Sequence, residues 1–65
     1  MVEEIIKRIA ICDAIIARNI SLLAMRESAE DEMHWKALAK HTDTIIGRRA
    51  NLSFLLASKF GVYGV

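Results

Sequence analysis

Residues 2–25 read VEEIIKRIAICDAIIARNISLLAM, with neither proline nor glycine. At about 100° per residue, Val2, Ile5, Ile6, Ile9, Cys12, Ile16, Ile20 and Leu23 share one broad stripe of a helix. Ile11, Ile15 and Leu22 fall on nearly the opposite side. A helix apolar on one side needs one partner surface. A helix apolar on two sides is covered by several elements, and a chain of 65 residues has few to offer. The missing cover is expected from other copies of the chain or from another protein. Ile11, Ile15 and Leu22 are therefore candidate interface residues.

The helix is expected over about residues 2–27, roughly 39 Å at 1.5 Å per residue. Glu3 and Glu4 in its first turn suit the positive end of the helix dipole. The next stretch, RESAEDEMH over 26–34, is the most polar in the chain. It is read as a bend at about 28–31, with Ser28 capping a second helix and Asp31 in the capping-box position. Every residue there tolerates a helix, so one continuous helix is the competing reading. The second helix is expected from about 29 to 60, stopped by Gly61. Its stripe is Trp35, Leu38, Ala39, Thr42, Ile45, Ile46, Leu52, Leu56 and Phe60. Thr42 with Asp43 could instead open a third helix. The side carrying Lys40, Gly47, Asn51, Phe54 and Ser58 turns from polar to nearly uncharged along its length. That change sets Phe54 toward another chain. The tail at 61–65 is apolar and uncharged, and its Tyr63 is a further interface candidate, frayed or tucked against a neighbour.

These elements predict an all-α fold in one domain over 1–65: an antiparallel helical hairpin that self-associates into a helical bundle, most simply of four helices. Chains below roughly 70–80 residues rarely bury a sufficient core alone and turn to disulfides, metals or oligomers. Cys12 is the single cysteine, so no internal disulfide is available. It sits on the apolar stripe, where a small buried thiol is expected. An unpaired cysteine suits a reducing compartment, and a cytoplasmic location is expected. No positive n-region precedes an apolar run, since Glu3 and Glu4 stand there. No uncharged apolar run is long enough to span a membrane.

Net charge is +1, which provides no overall drive toward nucleic acid. The distribution is uneven: residues 1–32 carry four basic and seven acidic side chains, residues 33–65 five basic and one acidic. An antiparallel hairpin lays these halves along each other. Asp13 lies within the first stripe and Arg49 within the second, and each is 18 residues from position 31. They are expected to form a buried ion pair, within one chain or between chains.

No motif points to catalysis, and the chain is not expected to be an enzyme. The serines have no patterned histidine–acid partners, and no glycine-rich phosphate loop is present. Asp31, His34 and His41 come nearest to a metal pattern, with Glu27 or Glu30 in reach. The set occurs once and opens with Asp where di-iron bundles use Glu-x-x-His on facing helices, so neither metal nor cofactor is expected. Nucleic-acid binding is the alternative function. Against it, Lys36 and Lys40 share a side while Arg48 and Arg49 point elsewhere, so no single basic face forms. The expected role is that of a small oligomeric protein-interaction or assembly module.

Overall fold

A computed structural model describes residues 1–25 and 32–65 of the chain. The described residues are all helical apart from Met1, Met25 and the tail: α1 spans Val2–Ala24 and α2 spans Glu32–Phe60. The two pack along each other as an antiparallel hairpin. The bend expected at 28–31 and its Ser28 cap lie outside the described residues.

α1 stops three residues short of the expected end near 27. The Met25 N–H turns back to the carbonyls of Ser21 (3.1 Å) and Leu22 (3.2 Å). Such shared bonding tightens the last turn of a helix, and no glycine or proline in the sequence signals it. α2 runs unbroken through Thr42, Asp43 and Gly47, so no separate third helix opens there. It stops where expected. Gly61 takes a left-handed φ of 66°, which costs a residue without Cβ nothing. The Val62 N–H then closes onto the Leu56 carbonyl at 3.0 Å.

The tail beyond Gly61 folds back along its own helix. The backbone oxygen of Val65 accepts from Ser53 Oγ at 2.6 Å and from the Arg49 guanidinium at 3.3 Å. Val62 and Val65 are half-buried by this contact, whereas Tyr63 points outward.

The seam between the helices is thin. Ile9, Cys12, Ile45 and Leu56 are its buried apolar side chains, joined by the polar Asn19 and Thr42. Val2, Ile5, Ile16 and Leu23 of the α1 stripe are half-buried. Ile6 and Ile20 at its edge are 37% and 54% exposed. One partner helix covers only about a third of a helix's circumference, and the α1 stripe is broader than that. The result is a rod of 46 × 16 × 14 Å with a radius of gyration of 14.5 Å. A compact domain of this length would have about 11 Å.

Candidate docking groove

On one flank of the seam the helices leave an open groove of about 860 Å³. Cys12 and Ile45 are its buried lining residues, with Leu52 half-buried beside them. Ile11 and Ile15 rise from α1 on one side, and Phe54 and Leu55 from α2 on the other. Ile11 is 55% and Phe54 72% exposed. Arg8, Arg48 and Lys59 supply the charge of the lining, which contains no carboxylate and no histidine among the described residues.

Helix periodicity builds this site. On α1, Arg8, Ile11 and Ile15 follow the i, i+3, i+7 spacing that keeps side chains on one face. On α2, Asn51, Phe54, Leu55 and Ser58 do the same over two turns. Ser58 Oγ is satisfied locally by the Phe54 carbonyl at 2.8 Å. Arg8 is held by Glu4 one turn earlier at 3.4 Å. Among the described residues, no carboxylate lies within ion-pair distance of Arg48 or Lys59.

Three of the five expected interface residues, Ile11, Ile15 and Phe54, therefore line one groove. Leu22 is 41% exposed two turns beyond Ile15 and lies outside it. Tyr63, 78% exposed, is carried by the tail on the Arg49–Ser53 side and does not line the groove. The sequence reading missed Leu55 and the cations Arg8, Arg48 and Lys59. Leu55 could have been found as the chain neighbour of Phe54 one turn past Asn51.

Asp13 and Arg49 meet within one chain, with Arg49 Nε donating to Asp13 Oδ1 at 2.9 Å. The expectation that this pair is buried is corrected: the side chains are 53% and 33% exposed. Asp13 lies roughly 90° around α1 from the middle of the line through Ile9, Cys12 and Asn19, at the water-facing edge of the seam. The pair also marks the register of the hairpin: 13 and 49 add to 62, and residues whose numbers add to about that value sit level.

The expected absence of a metal centre turns partly on Asp31, Glu27 and Glu30, which lie outside the described residues. His34 is exposed and stands edge-on to Trp35, with ring centroids 5.3 Å apart. Among the described residues no three His, Cys, Asp or Glu side chains come together, and no helix is long and apolar enough to cross a membrane.

No protein-family model matches the chain, and neither a curated protein nor a solved structure does.

Proposed function

We propose that the chain is a non-catalytic assembly module, a helical hairpin that self-associates through this groove into a helical bundle. The observation that carries the reading is the pairing of Ile11 and Phe54, both more than half exposed, across a single apolar groove. Scattered apolar residues on a surface are ordinary, but a contiguous apolar concavity marks an association site. The thin seam supports the same reading, because a core of four buried apolar side chains among the described residues leaves a small chain short of cohesion.

Multi-angle light scattering at micromolar concentration tests it. The expected mass is at least twice the 7.3 kDa of one chain, unchanged between low and high salt. A fully helical monomer overturns the proposal. Nucleic-acid binding, the alternative drawn from the sequence, would show itself as nucleic-acid affinity that falls steeply with salt.

A further inference from the structure

We infer that the groove's occupant is a second copy related by a two-fold axis running along the rod, so that α1 of each protomer packs on α2 of its partner. This inference rests on the self-association proposed above.

The exposed area has the right size. A compact protein of 7.3 kDa exposes about 4200 Å², whereas the hairpin exposes 5122 Å². The excess, roughly 900 Å², is close to the ~800 Å² that each partner contributes to a standard interface.

Two closed arrangements set groove on groove. An axis across the rod places α1 on α1 and α2 on α2. An axis along the rod places α1 on the partner's α2 and keeps every residue at its own height, and it too closes as a two-fold contact. Charge separates the two. The cations that α2 brings to the groove are Arg48 and Lys59, and among the described residues no carboxylate lines it. An axis across the rod reverses height, so one passing midway between Arg48 and Lys59, near Phe54, sets Arg48 level with the partner's Lys59, and like charges across an interface are costly. Glu4 stands on the groove side of α1, one turn before Arg8 and bonded to it. Glu4 and Lys59 add to 63, so they are level within about one residue on the hairpin register. The lengthwise axis thus brings Glu4 of each protomer to the height of Lys59 of the other, twice per dimer. It also sets Ile11 at the height of Asn51 across the interface, with Leu55 one turn further along the same wall.

Cross-linking tests the orientation in a Cys12→Ala background. Chains carrying Ile11→Cys are mixed with chains carrying Asn51→Cys and oxidised. The mixed disulfide is the expected product. Disulfides confined to like chains, Ile11→Cys with itself or Asn51→Cys with itself, overturn the inference while leaving self-association standing. Charge reversal gives an independent readout. Glu4→Lys and Lys59→Glu should each weaken dimerisation about fivefold, and the double reversal should recover most of that loss. Single reversals that leave the dimer constant unchanged, or a double variant weaker than either single, also overturn it. A wild-type chain that is monomeric by scattering removes the self-association reading itself.

Discussion

Asn19 of α1 and Thr42 of α2 are the buried polar side chains of the seam, and they stand within about one residue of level. Thr42 Oγ1 donates to the Leu38 carbonyl at 2.7 Å. Asn19 is 1% exposed, and its Nδ2 has no acceptor among the described residues. One is satisfied within its own helix, and the other is buried at a cost. A buried unsatisfied donor costs about 1–3 kcal/mol. Asn19→Leu should therefore raise the urea midpoint, by about 1 kcal/mol or more in stability, with the m-value unchanged. Thr42→Val should change stability by less than about 1 kcal/mol, because the backbone bonds around Leu38 remain. A loss of stability in Asn19→Leu would mean that the amide finds a partner in solution. A buried asparagine can fix register at the expense of stability, so the same variant should be checked for mixed oligomers by light scattering.

The Asp13–Arg49 contact predicts a small coupling. Each side chain keeps a third or more of its surface in water, where ion pairs contribute about 0.2–1 kcal/mol. A double-mutant cycle with Asp13→Ala and Arg49→Met should return a value in that range, declining at high salt. A coupling of about 3–5 kcal/mol would belong to a buried pair and would place this flank in an interface.

Two glycines predict opposite signs. Gly47 lies in the middle of α2, and a Cβ built there meets nothing within 4 Å. Gly47→Ala should stabilise by about 1 kcal/mol through helix propensity, with the dimer constant unchanged because Gly47 does not line the groove. Gly61 has φ 66°, which costs an L-residue about 1–2 kcal/mol. Gly61→Ala should lower the thermal midpoint by several degrees, given about 4–8 °C per kcal/mol for a chain of this size.

Ile15→Glu should dissociate the oligomer while circular dichroism retains the helix signal. Ile15 is half-buried on the groove wall rather than in the seam, so a charge there is hydrated in the monomer and stranded in the assembly. Loss of helicity at the same concentration would show that Ile15 serves the hairpin instead.

The hairpin was legible because the α1 stripe is strongly periodic and because Gly61 carries a turn conformation that its residue type announces. The contact between residues 13 and 49 followed from charge sign and equal spacing about position 31. Its exposure did not follow, since a stripe drawn at 100° per residue has no sharp edge, and Asp13 lies where the stripe gives way to water. The end of α1 at Ala24 was illegible because backbone bonds to Ser21 and Leu22 determine it, not a side chain. Asn19 was missed for a related reason. It shares the angle of Cys12, but its polarity removed it from a stripe read by hydrophobicity. The groove was half legible: Ile11, Ile15 and Phe54 stood out as apolar residues off the main stripes, while Arg8, Arg48 and Lys59 look like any solvated cation until the helices are set side by side.

The buried apolar side chains are not spread evenly along the rod. On the hairpin register, Ile9, Cys12, Ile45 and Leu56 all fall between the heights of Ile6 and Ala17 on α1, while Asn19 and Thr42 lie nearer the α1 C-terminus. The hairpin is therefore built like a zip fastened at one end. Its cohesion resides beside the N-terminus of α1 and the C-terminus of α2, in helices far apart in sequence. Opening should start at the other end and stop at the level of Asn19 and Thr42. Amide hydrogens of Ser21–Ala24 should then exchange with solvent well before those of Ile9–Cys12, which are released only when the two strands of the zip part altogether.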